Sequence, residues 1–117
     1  MEKKGFKCEK ELLGDALIVR IEGEINCTFS CEFSEALSEI WSGMDQKIII
    51  LDMEKVSYID SSGMGALVAE HRRVLNAQRQ LRLCNLEANV QKVLRLAFLD
   101  RIFNIYPNQE EALKADS

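Results

Sequence analysis

Residues 56–67 read Val56-Ser57-Tyr58-Ile59-Asp60-Ser61-Ser62-Gly63-Met64-Gly65-Ala66-Leu67. The stretch joins an apolar strand on its N-terminal side to an amphipathic helix on the other. The junction, Asp60 to Gly63, is small and polar where that helix begins. A hydroxyl placed there sits at the positive end of a helix dipole, within reach of another protein. From Ser62 to about Gln78 the periodicity is helical. Met64, Leu67, Val68, His71, Val74 and Leu75 share one face. Glu70, Arg72, Arg73 and Asn76 lie away from it and read as a solvated surface.

Upstream, Lys47 to Met53 holds the run Ile48-Ile49-Ile50-Leu51, closed by Asp52. A β-branched run without polar interruption predicts a strand covered on both faces, inside a parallel or mixed sheet. Further back, Phe6–Leu13 and Ala16–Glu22 predict two strands of an opening hairpin, turned at Gly14-Asp15. Leu17, Val19 and Ile21 point to one side, and Ile18, Arg20 and Glu22 to the other. Gly23-Glu24-Ile25-Asn26 ends the second strand and opens a loop. Phe29, Phe33, Leu37, Ile40 and Trp41 recur at helical spacing, so a helix runs to about Ser42, with Thr28 or Ser30 as its N-cap. Gly43 stops it.

Downstream, Leu81–Asn85 predicts a short strand. A third helix follows from about Ala88 to Phe98, with Val90, Val93, Leu94 and Ala97 as its buried stripe. Ile102–Tyr106 reads as a last strand, broken by Pro107. Asn108 caps a short closing helix to Lys114. The order β-β-α-β-α-β-α-β-α implies one α/β domain over residues 1–117, with a mixed, mostly parallel sheet of about five strands and about four helices.

A length of 117 residues suits a single domain with a real core. The net charge of −4 and the lack of a basic run argue against nucleic acid as a direct partner. No N-terminal leader pattern is visible, and the apolar runs are too short to span a bilayer, so a cytoplasmic protein without membrane insertion is expected. Cys8, Cys27, Cys31 and Cys84 form no CxxC pair. Cys27 and Cys31 would face the same way if a helix has already begun there, but buried or free reduced thiols fit better than a metal site. No metal and no cofactor are expected.

Catalysis by Ser61 or Ser62 needs a base within hydrogen-bond reach. The sole histidine, His71, lies roughly 15 Å further along the same helix, and the Gly-x-Ser-x-Gly elbow is absent. Gly63-Met64-Gly65 lacks the third glycine of a dinucleotide fingerprint, since position 68 is valine. The chain is therefore expected not to be an enzyme. What remains is a switch: phosphate on Ser61 would add a charge of roughly −1.5 to −2 at a helix N-terminus that tolerates it. A closely packed partner would then meet repulsion. Gly63 and Gly65 fit that reading if their missing side chains admit a partner's backbone. The plainer alternative makes Ser61 or Ser62 an N-cap and packs Gly65 on the sheet.

Val56-Ser-Tyr-Ile-Asp-Ser-Ser-Gly-Met-Gly resembles the signature of the STAS domain family, specifically the bacterial anti-sigma-factor antagonists. Gly23-Glu-Ile-Asn lies where that family has a Gly-Glu-hydrophobic-Asp loop, and Leu99-Asp-Arg-Ile-Phe is similar to its approach to the last strand. The resemblance implies a STAS-like fold in which Ser61 is phosphorylated by a serine kinase that is also an anti-sigma factor. Unphosphorylated protein would capture that kinase, phosphorylation would release it, and a separate phosphatase would reset the switch. ATP would belong to the kinase. Asp60, Ser62, Gly63 and Met64 would form the partner surface, with Glu24 and Asn26 beside it. Asn26 departs from the usual aspartate, keeping an acceptor without its negative charge. Two other readings follow: a constitutive, unphosphorylated STAS accessory subunit of a transport or scaffold complex, and a small-ligand domain using Cys27 and Cys31.

Overall fold

The computed structural model describes residues 2–3, 6–28 and 30–115, without the side chains of residues 2, 3 and 30. The elements run β1 (Glu2–Lys3), β2 (Phe6–Leu13), β3 (Ala16–Ile25), α1 (Ser30–Ser42), β4 (Ile48–Ile59), α2 (Ser61–Asn76), β5 (Gln80–Cys84) and α3 (Ala88–Leu96). A 3-10 turn (Leu99–Arg101), β6 (Asn104–Tyr106) and α4 (Gln109–Lys114) complete the chain. One sheet holds the strands in sequence order, with β1–β2 and β2–β3 antiparallel and the pairs from β3 to β6 parallel. The expected mixed, mostly parallel α/β architecture is what the chain forms: the described residues hold five principal strands, the two-residue β1 at the edge, and four α-helices.

The hairpin turns where its chemistry dictates, at Gly14 with φ +59°, a backbone region that glycine enters without a Cβ clash. Beyond it, each strand from β4 to β6 is reached through a helical crossover. Crossovers of one hand that step in one direction along a sheet leave their helices on one face. Accordingly α1, α2 and α3 share a core with Leu17, Val19 and Ile21 of β3, Ile49 and Leu51 of β4, and Leu81 and Leu83 of β5. The other face is covered by α4, where Ala112 packs with Ala16, Ile18, Ile50 and Cys84. Ile48–Leu51 is therefore sandwiched, as its unbroken apolar pattern requires.

Two strands outrun their expected ends. β3 continues through Gly23, at φ +121°, to Ile25, and β4 continues past Asp52 to Ile59. Register shifts between Arg20 and Glu22 and between Gly23 and Glu24 give β4 extra residues. The bulges let Met53, Val56 and Ile59 all enter the same core despite three-residue spacing. Asp52 does not close the strand: it stays buried within it and accepts from Gln109 Nε2 at 2.8 Å and Asn85 Nδ2 at 3.2 Å.

Several helix details also shift. Thr28 lies in the turn before α1 and Ser30 is the first helical residue, while Phe29 and the cap position fall outside the described residues. α3 stops at Leu96, so Ala97 is an exposed C-cap and not part of the buried stripe. β6 is only three residues, because the 3-10 turn occupies the preceding positions. Asn108 caps α4 as expected, accepting from Glu111 N at 2.8 Å.

Candidate functional site

The parallel strands β3 and β4 end side by side, with Glu24 opposite Tyr58 and Ile25 opposite Ile59. Chain entering α2 is tied to this rim: Asp60 N donates to Ile25 O at 3.2 Å. Asp60 is extended at φ −107°, ψ −174°, the conformation of an N-cap. Its Oδ1 accepts from Gly63 N at 2.9 Å and its Oδ2 from Cys27 N at 2.9 Å. A single carboxylate thus caps α2 and pins the loop after β3. Within that loop Asn26 Oδ1 accepts from Thr28 N at 3.0 Å, and Asn26 Nδ2 donates to Glu24 Oε1 at 3.5 Å.

This corrects the alternative in which Ser61 or Ser62 caps the helix. Asp60 is the cap, and both serines lie exposed in the first turn. The glycines exchange roles as well. Gly63 is buried, and a Cβ there would sit 2.8 Å from Ile25 Cγ2 and from Ile59 Cγ1 while also overlapping the Ile25 carbonyl. Its missing side chain is demanded by the protein's own strands, so the room expected there for a partner's backbone is taken by Ile25 and Ile59. Gly65 is exposed with open space at its Cβ position. Met64 is half-buried, with its partly covered side chain against the core.

The expected solvated face of α2 is overturned at Glu70. This carboxylate is 1% exposed. Oε1 accepts from Ser34 Oγ at 2.8 Å, Ser38 Oγ at 2.6 Å and Arg73 Nη1 at 3.2 Å, and Oε2 accepts from Trp41 Nε1 at 3.0 Å. Charge-assisted bonds of this kind hold α1 against α2. Ser34, Ser38 and Trp41 recur at helical spacing on α1, a polar line within an otherwise apolar stripe, and that was the legible signal. His71 is also buried, its ring 5.3 Å from Phe103, and desolvation pushes its pKa below the usual value. It packs on Phe103, nearly three helical turns along α2 from Ser61.

Cys27 precedes α1 and Cys31 lies inside it, so the two do not share a helix face; both are exposed and free. Among the described residues no group of three metal-ligating side chains occurs and no helix is long and apolar enough to cross a membrane. Tyr58, 51% exposed beside Glu24, adds an aromatic ring to the rim that the sequence reading passed over.

The fold has clear counterparts. The chain is 26% identical over 108 residues to the anti-sigma F factor antagonist of Paenibacillus polymyxa, covering 92% of each. An anti-sigma factor antagonist from Mycobacterium paratuberculosis superposes with a TM-score of 0.83 at 19% identity, over 96% of this chain and 94% of that one. The anti-sigma factor antagonist SpoIIAA in its unphosphorylated form gives 0.72 at 22% identity, over 92% and 93%. The family model of the STAS domain matches residues 7–112, and the protein belongs to that family.

Proposed function

We propose that the protein is an anti-sigma-factor antagonist: a cytoplasmic binding module, not an enzyme, switched by phosphorylation of Ser61. The observation that carries this is the division of labour at the start of α2. Asp60 supplies the cap, so the exposed Ser61 hydroxyl beside it is not needed to satisfy the helix. A phosphate there is tolerated by the helix dipole, while a partner seated on the rim meets a new dianion next to Asp60. Ser62, Met64, Glu24, Asn26 and Asp60 form the contact surface for a serine-kinase anti-sigma factor, with Tyr58 at its margin. The kinase brings the ATP, and a phosphatase restores the hydroxyl.

A second reading, an unphosphorylated STAS accessory subunit in a transport or scaffold complex, draws on Asn26. Its amide is committed to Thr28 N and Glu24 and brings no charge to the serine. Intact mass and peptide mapping of protein isolated from its native cells separate the two. Phosphate on Ser61 is expected. Its absence through growth, starvation and stress would favour the accessory subunit.

A further inference from the structure

Parallel strands set up a second pole. The helices run back from the Ser61 rim, so α3 ends toward the opposite end of the sheet; the sixteen residues of α2 alone cover about 24 Å in that direction. There the chain exposes Leu96 (69%), Phe98 (63%) and Ile102 (48%) within seven residues. Phe98 also has φ +60° and ψ +19°, the left-handed region that a bulky residue seldom adopts. Folding gains little from this residue: its backbone is strained and most of its ring is in water.

The turn is nonetheless held firmly. Phe98 N donates to Arg95 O at 3.0 Å, and Ile102 N and Phe103 N both donate to Leu99 O at 3.0 Å. The Arg101 guanidinium lies 5.3 Å over the Phe98 ring. Around this knob Lys92, Arg95 and Arg101 are exposed against one carboxylate, Asp100, on a chain whose net charge is −4.

We infer that Leu96, Phe98 and Ile102 form a second docking surface, taken by a protein that presents an apolar groove rimmed by carboxylates. Strain and exposure at one residue, held in place by its own turn, are the marks of a preorganised anchor. The local excess of cations repels a second copy of the same patch and selects an acidic rim. Being remote from Ser61, the surface leaves the rim free, and the inference stands whatever that serine does.

The test places p-benzoylphenylalanine at position 98 of the full chain in its native cells, with a parallel probe at Ser62. Irradiation is expected to join position 98 to a polypeptide other than this chain, through a mapped apolar segment flanked by Asp or Glu. The Arg95→Glu, Arg101→Glu double variant should lower the adduct yield about tenfold. Phe98→Gly is the companion measurement. It should keep or raise the melting temperature, because glycine suits φ +60°, while weakening binding to the identified protein about tenfold or more. Adducts to this chain itself or to phospholipid, no adduct, or insensitivity to charge reversal each overturn the inference. So does loss of stability in Phe98→Gly, which would make Phe98 a packing residue. Failure of the Ser62 probe alone bears only on the rim.

Discussion

Asp60 and Glu70 are both carboxylates on the same helix, and they do opposite things. Asp60, half-buried at the first turn, spends its two oxygens on backbone N–H groups of α2 and of the loop after β3. The side chains around it stay exposed, and the corner remains available to a partner. Glu70, nearly three turns on, is fully enclosed and gathers two serines and a tryptophan from α1 and Arg73 from its own helix. One carboxylate opens a surface and the other closes an interface. The difference comes from the neighbours: Asp60 meets chain ends, while Glu70 meets the length of α1.

If Glu70 is the clamp, removing it must be the most damaging change. Glu70→Ala leaves four donors without their acceptor and should lower unfolding free energy by about 3 kcal/mol, read by urea denaturation. Glu70→Gln, which keeps the shape but turns amide hydrogens toward donors, should fall between it and the parent. A loss below about 1 kcal/mol in the alanine variant would reduce the network to a surface ion pair.

The opening end is tested by its two glycines. Gly63→Ala drives a Cβ against Ile25 and Ile59 and should lose roughly 2 kcal/mol. Gly65→Ala, with open space around it, should gain about 0.5–1 kcal/mol from helix propensity. Under the proposed function the stabilised Gly65→Ala should still bind an anti-sigma factor more weakly. Equal melting temperatures for the two variants would erase the distinction between an inward and an outward glycine.

The smallest effect concerns pH. Burial holds His71 below its ordinary value of 6.5, so the folded state keeps it neutral while the unfolded chain protonates below that point. Its contribution is therefore complete above about pH 6.5 and is lost as pH falls from there toward the folded-state value. The slope cannot exceed about 1.4 kcal/mol per pH unit. Unfolding curves at pH 7.5 and 5.5, compared with those of His71→Phe, isolate it; parallel behaviour would show that His71 titrates normally.

Much of this was legible in order along the chain. The hairpin announced itself through alternation around Gly14-Asp15, the sandwiched strand through Ile48–Leu51, and the last helix through Asn108. The Asp60–Gly63 junction was legible as a helix start, yet its cap was read as Ser61 or Ser62 and lies one residue earlier, at Asp60. Glu70 was misread because helical periodicity sorts residues by polarity. It cannot see that a second helix will bring Ser34, Ser38 and Trp41 to the polar edge. The ends of β3 and β4 were set short because bulges change spacing locally, and alternation patterns stop at them.

What the sequence alone determined is what neighbours along the chain decide: periodicity, turn chemistry, the βα order and the family signature across Val56–Gly65. Those depend on interactions within a few residues and survive without a partner element. The tertiary structure decided which polar groups are hidden and which glycine is crowded. It also decided which carboxylate caps α2 and that Phe98 stands exposed in a left-handed turn. Each of these depends on what another segment places a few ångströms away, and burial is a property of the assembled layers, not of any single stretch.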